Sequence, residues 1–162
     1  MIKLKHILQE VINPQKVYHT TTRGRLESIL KVGLRTNSEK GFSTASLGWM
    51  KDAYGMIPIF VSLKPGKYKE ESDGVILEID VSGLDLVADI PGLSDIGAYI
   101  EDGYIWFDSG NEPFEMNEED EGQIYFEDLT DSNSDYCQKS IEATETAAIM
   151  ENIPPTKIKV IS

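Results

Sequence analysis

Apolar residues recur at Ile2, Leu4, Ile7, Leu8, Val11 and Ile12, close to helical spacing, until Asn13-Pro14 ends the pattern; an amphipathic helix is expected over residues 3–12. Lys16-Val17-Tyr18-His19-Thr20 is short, β-branched and aromatic and reads as a strand, with Thr21 or Thr22 available to cap the helix that follows. Leu26, Ile29 and Leu30 form one side of that helix, and Arg23, Arg25, Glu27 and Lys31 the other. Gly33 sits where a left-handed terminating residue belongs. Residues 35–46 are polar and rich in Gly, Ser and Thr, hence a loop, and Leu47 to Tyr54 suits a short helix.

Beyond this point the periodicity shortens to that of strands. Ile57 to Leu63 is one, with Pro58 near its start where a missing amide is tolerated, and Gly74 to Val81 is the clearest in the chain. Leu84 to Ala88, Tyr104 to Phe107, Gln123 to Phe126, Ala143 to Met150 and Lys157 to Ile161 complete the expected strands. Residues 93–102 fit either period, 108–122 have none, and no internal repeat is visible. Helices early and strands late predict an α+β domain with a largely antiparallel or mixed sheet.

Composition supports one compact domain: 162 residues, 40% hydrophobic and 27% charged, enough for a core without metal or disulfide staples. The lone Cys137 excludes an intramolecular disulfide or a Cys-pair zinc site and suits a reducing, cytoplasmic setting. No stretch approaches 18 apolar residues and the first residues interleave charge with apolar side chains, so neither a membrane span nor a secretion signal is expected.

Charge changes the picture more. The formal net of −13 divides into a first segment, residues 1–69, with twelve cations against four acids, and a middle, residues 70–138, with 21 acids and neither Lys nor Arg. The acidic whole argues against a nucleic-acid partner, while the +8 beginning leaves room for a phosphate-bearing ligand. The two histidines, His6 and His19, form no ligand pattern with each other or with Cys137, so no transition-metal site is expected. Glu115 to Gly122 lacks the ligand order of a calcium loop, and the common phosphate-cradling and nucleophile-elbow motifs are absent.

What remains is an ordered set: Val17-Tyr18-His19-Thr20-Thr21, then Leu26-Glu-Ser-Ile-Leu-Lys-Val-Gly-Leu34, then Ile59-Phe-Val-Ser62 and Val75-Ile-Leu-Glu-Ile-Asp-Val81, and last Glu145 ahead of Ile153-Pro-Pro-x-x-Ile158. This order resembles the ADP-ribosyltransferase superfamily, particularly small bacterial and phage-type members related to DNA-modifying toxins and RNA 2′-phosphotransferases. The resemblance covers residues 17–34, 57–81 and 141–161. It implies a single domain over 1–162 with an acidic variable insert at about 85–138, and a split, mostly antiparallel sheet around a cleft for NAD. The implied chemistry is loss of nicotinamide from the ribose C1′ and capture of ADP-ribose by an acceptor.

The same resemblance assigns roles by residue. Glu145 is the implied catalytic carboxylate on the strand before the prolines, with Glu142 the alternative one turn earlier. A carboxylate there can hold the ribose 2′-hydroxyl and stabilise positive charge at C1′. His19 contacts the NAD ribose, backbone groups of Thr20 hold the nicotinamide amide, and Ser62 supports the glutamate. Tyr54 stacks on nicotinamide, with Trp49 and Phe60 competing for that role. Apart from the resemblance, Arg35, with Arg23 and Arg25 as further candidates, is expected to meet pyrophosphate or target phosphate, because a guanidinium binds phosphate bidentately. The expected activity is NAD-dependent mono-ADP-ribosyl transfer, with a basic-faced protein favoured over nucleic acid as acceptor and a toxin or phage effector as setting. The alternatives are nucleic-acid transfer or RNA 2′-phosphate removal on the same fold, and a non-catalytic acidic protein that blocks a basic partner surface.

Overall fold

The computed structural model describes residues 14–39, 42–66 and 74–161, so the helix expected over residues 3–12 lies outside the described residues. Strand β1 (Lys16–Thr22) leads directly into helix α1 (Arg23–Val32), followed by α2 (Thr44–Tyr54), β2 (Ile59–Ser62) and β3 (Gly74–Asp80). The second half runs β4 (Val87–Ala88), α3 (Ile90–Asp95), β5 (Tyr99–Glu101), β6 (Tyr104–Trp106), β7 (Gln123–Tyr125), α4 (Phe126–Leu129), α5 (Asp135–Thr144), β8 (Thr146–Ile149) and β9 (Ile158–Val160). Six strands make one sheet in the order β4-β8-β2-β1-β3-β9, and β5-β6-β7 make a second. Every pairing among them is antiparallel, which places the chain in the mixed α+β class.

Strands β2, β3 and β8 read as nearly continuous apolar runs because both their faces are covered: Val61, Leu77, Ile79, Ala147, Ala148 and Ile149 are fully buried. Burial of each large aliphatic among them is worth about 1.5–3 kcal/mol relative to exposure. The same core continues through Ile90 and Leu93 on α3 to Ile105 and Ile124 in the small sheet.

Several expected boundaries move, each for a local reason. Helix α1 buries Ile29 and half-buries Leu26, but Leu30 is 45% exposed and so lies off the buried stripe. Thr22 occupies the N-cap position of α1 without a side-chain capping bond, whereas Ser43 does cap α2, its hydroxyl accepting the Ser46 N–H at 3.2 Å. The ambiguous stretch 93–102 resolves into the end of α3, with Asp89 accepting the Gly92 N–H as its cap, and strand β5.

The largest revision concerns the expected strand from Ala143 to Met150. Helix α5 precedes it and ends at Thr144, and the strand begins only at Thr146. The buried stripe of α5 is Cys137, Ser140, Ile141 and Thr144, half of it polar, so apolar periodicity alone does not reveal it. The hydroxyls are tolerated there because Ser140 donates to the Tyr136 carbonyl and Thr144 to the Ser140 carbonyl, the i−4 back-bonds available to Ser and Thr in helices.

Candidate functional site

Strand β1 is held on its two sides very differently. With β3 it pairs along its whole length, from Lys16↔Asp80 to Thr22↔Gly74. With β2 it pairs at one place, Tyr18↔Ser62. From His19 to Thr22 the register pairing with β2 does not continue, so the ladder between the two halves of the large sheet stops at that level.

His19 stands where the ladder stops. Its Nδ1 lies 2.8 Å from the Phe60 carbonyl oxygen on β2. A carbonyl only accepts, so the neutral ring carries its proton on Nδ1 and keeps Nε2 as an acceptor. Burial pushes the His19 pKa below its ordinary 6.5, the Phe60 carbonyl opposes that shift, and the Arg25 charge adds to it. The imidazole is thus neutral at pH 7, and Arg25 at the start of α1 is near enough to be felt.

The lowered value has a consequence for folding. Below pH 6.5 the unfolded chain binds a proton at this position that the native chain refuses, so stability falls as pH drops through the window between 6.5 and the lowered native value. His19→Asn keeps an N–H donor for the Phe60 carbonyl and removes the titration. Urea midpoints between pH 7.5 and 5.5 are expected to fall less for the variant than for the parent chain.

Thr20, half-buried, follows on the same strand opposite Ile76, and Ser62 is buried on β2. Ser62 does not reach the glutamate directly: its hydroxyl donates to the Lys64 carbonyl at 2.8 Å and accepts the Lys64 N–H at 3.2 Å. That turn delivers the Lys64 ammonium to the Glu145 carboxylate, Nζ to Oε1 at 2.9 Å. Ser62 thus bonds the Lys64 backbone, and the Lys64 side chain, which no sequence motif singled out, pairs with Glu145.

Glu145 is not on a strand as expected. It caps α5 in the left-handed region, φ 56°, with its N–H donating to the Ile141 carbonyl and its carbonyl accepting the Leu63 N–H. The helix must end here for the chain to enter β8, and Glu145 takes the conformation that makes the turn. By register the row Tyr18, Ser62 and Thr146 crosses β1, β2 and β8, with His19 one step above it and Glu145 one step below. Two strand spacings and two residue rises separate their Cα atoms by roughly 12 Å, a gap that a ribose and two side chains can fill. The alternative carboxylate, Glu142, is exposed on α5.

Tyr54 requires a correction. It is 3% exposed, and its hydroxyl donates to the Ala88 carbonyl at 2.7 Å and accepts the Ile90 N–H at 2.8 Å. Burial and the Asp89 charge together raise its pKa well above the usual phenol value. This ring pins α2 to the β4–α3 junction and has no face to offer a ligand. Tyr54→Phe leaves a buried N–H and a buried carbonyl short of a partner, and a loss of about 1–3 kcal/mol in urea unfolding is expected. Both competing rings, Trp49 and Phe60, are half-buried. Phe60 lies edge-on to Tyr54 at 6.2 Å and to Phe42 at 6.0 Å; its carbonyl holds His19, while its ring, two residues from Ser62 along β2, lies on the sheet face opposite the His19 side chain.

Arg35 is exposed just past the point where α1 is tied to the segment after β8 by reciprocal bonds between Leu34 and Ile153. Thr36 anchors the same joint through the Asn152 side chain, at 2.9 Å from its amide. Arg23 and Arg25 are exposed at the opposite end of α1. Cys137 is buried and its thiol is pushed up to about 12, which removes it as a nucleophile.

Two open concavities lie away from these residues. One, of about 450 Å³, is lined in part by Asp85, Asp131 and Glu151, and another, of about 770 Å³, by Glu112, Glu115, Glu118 and Glu121. Among the described residues no cluster of three His, Cys, Asp or Glu side chains is arranged to hold a metal ion, and no helix is long and apolar enough to cross a membrane. The chain matches no protein-family model, no curated protein and no solved structure.

Proposed function

We propose that the protein is an NAD-dependent mono-ADP-ribosyltransferase working where the ladder between β1 and β2 stops, with a protein as the favoured acceptor. The observation that carries this reading is the His19 arrangement: a neutral imidazole pinned by Nδ1 to the Phe60 carbonyl, with Nε2 left to accept a ribose hydroxyl at the level where that ladder ends. The resemblance in the sequence supplies the chemical identity of the ligand.

In this reading the unladdered backbone beside Thr20 receives the nicotinamide amide, and Tyr54 is too buried for the stacking role. Arg23 and Arg25, beyond the end of β1, face the phosphates, and Arg35 serves the outer end of the ligand. Glu145 holds the 2′-hydroxyl and stabilises the positive charge that develops at C1′ as nicotinamide leaves. That stabilisation is electrostatic and strongest where water is excluded.

A second reading, a non-catalytic acidic protein that covers a basic partner surface, is favoured by the carboxylate-lined concavities and the cation-free middle of the chain. Incubation with adenylate-labelled NAD and cell lysate separates the two. Free nicotinamide with label in the protein fraction, lost in Glu145→Gln, supports transfer. Label confined to RNA or DNA moves the acceptor to nucleic acid, and absence of both turnover and NAD binding overturns the enzyme reading.

A further inference from the structure

We propose that the outer face of the small sheet docks an arginine-bearing basic segment of a partner protein. The sheet is two-sided by register. Ile100, Ile105 and Ile124 form one row that faces inward, with Ile105 and Ile124 fully buried. The flanking rows, Tyr99, Trp106 and Gln123 on one side and Glu101, Tyr104 and Tyr125 on the other, project from the opposite face. A solvent-facing sheet side is ordinarily polar. This one carries four aromatic rings, and Tyr125 and Tyr99 are 56% and 46% exposed.

The rings are ordered rather than scattered. Tyr99 and Trp106 stack with centroids 4.1 Å apart and planes 18° from parallel, and Tyr104 meets Tyr125 edge-on at 6.3 Å. Carboxylates hold their polar edges: Tyr99 donates to Asp108 at 3.2 Å and the Trp106 indole N–H to Glu101 at 3.4 Å. The π-faces are thereby set, with negative charge at the rim.

Charge selects the occupant. Nucleic bases also stack on aromatic sheets, but the backbone that carries them needs cations, and residues 70–138 contain no Lys or Arg. A guanidinium meets both features of this face, lying flat on a ring while pairing bidentately with a carboxylate, and it sheds water more easily than an ammonium. The surface is therefore matched to arginine more closely than to positive charge in general. It lies on a different sheet from His19 and does not depend on NAD turnover.

The test needs no NAD. Trp49→Phe leaves Trp106 as the only tryptophan of the full chain, so its emission reports on this face. The probes are a twelve-residue alternating Arg-Gly peptide, its Lys-Gly counterpart and a dT12 oligonucleotide, titrated at low salt. Saturable change with the Arg peptide is expected, with affinity about fivefold or more above the Lys peptide and a loss of about threefold or more in Tyr125→Ala, on the scale of one cation–π contact. Unchanged far-UV circular dichroism certifies the variant's fold, and Glu101→Gln is expected to weaken the Arg peptide likewise. Equal affinity for both peptides with no effect of Tyr125→Ala would reduce the face to diffuse charge and overturn the proposal. Preferred binding of the oligonucleotide, or no binding of either peptide, would also overturn it.

Discussion

Glu145→Gln is expected to lower nicotinamide release by about 10²–10³-fold, the usual cost of removing one preorganised electrostatic group from a reacting centre. In the proposed reaction, the substitution keeps shape and hydrogen-bonding capacity and removes only the charge that stabilises the cation forming at C1′. Loss of the ion pair with Lys64 is expected to cost folding little. The Lys64–Glu145 pair is solvent-exposed on both sides, with 69% and 43% of the side chains accessible, and such pairs are worth about 0–1 kcal/mol. Gln also takes the left-handed conformation at this cap with the same side-chain constraints as Glu. A fall in turnover with unchanged thermal midpoint and unchanged NAD binding therefore assigns the loss to chemistry. Parallel measurement of Glu142→Gln decides the carboxylate, since a large loss there with full activity in Glu145→Gln would transfer the role to the exposed side of α5.

The largest stability effect is expected at Gly33, where α1 stops. Its φ of 85° and ψ near 180° belong to a region that glycine alone occupies readily, and a Cβ built on it would stand 2.0 Å from the Ile153 carbonyl oxygen. That carbonyl accepts the Leu34 N–H, so the chain cannot retreat without breaking the joint between α1 and the segment after β8. Gly33→Ala is expected to cost about 3 kcal/mol, which for a domain of this size is a fall in Tm of about 10 °C. Gly24, on the same helix, has ordinary helical geometry and nothing within 4 Å of an added Cβ. Gly24→Ala is expected to gain up to about 0.5–1 kcal/mol. Calorimetry on the two variants should give opposite signs, and a destabilised Gly24→Ala or a neutral Gly33→Ala would contradict this account of the helix.

The difference between those glycines illustrates what each level of description holds. The stop of α1 at Gly33 was legible in the sequence because a helix's polar and apolar positions run out there and glycine follows. The reason alanine fails was not, since Ile153 is 120 residues away and only the fold brings its carbonyl to that backbone. His19 was legible as a candidate from its motif, but its neutral state followed only when its burial was in view, and its tautomer only when the Phe60 carbonyl was. The Tyr54 assignment failed because aromatic identity says nothing about exposure. Its hydroxyl bonds to Ala88 and Ile90 exist only once α2 lies against the β4–α3 junction.

Local rules alone therefore determined the strand-helix opening at Lys16–Val32, the strong β3 strand, the α+β class and the division of charge into a basic beginning and an acidic middle. These depend on side-chain periodicity, chain stiffness and composition, all properties of neighbours in the chain. Tertiary structure decided that α5 exists behind a half-polar stripe, that Glu145 is a helix cap joined to Lys64, that the ladder between β1 and β2 stops at His19, and that four aromatic rings share one outer face. Each of these depends on which distant segments meet, and on the carbonyls, charges and bulk they bring with them.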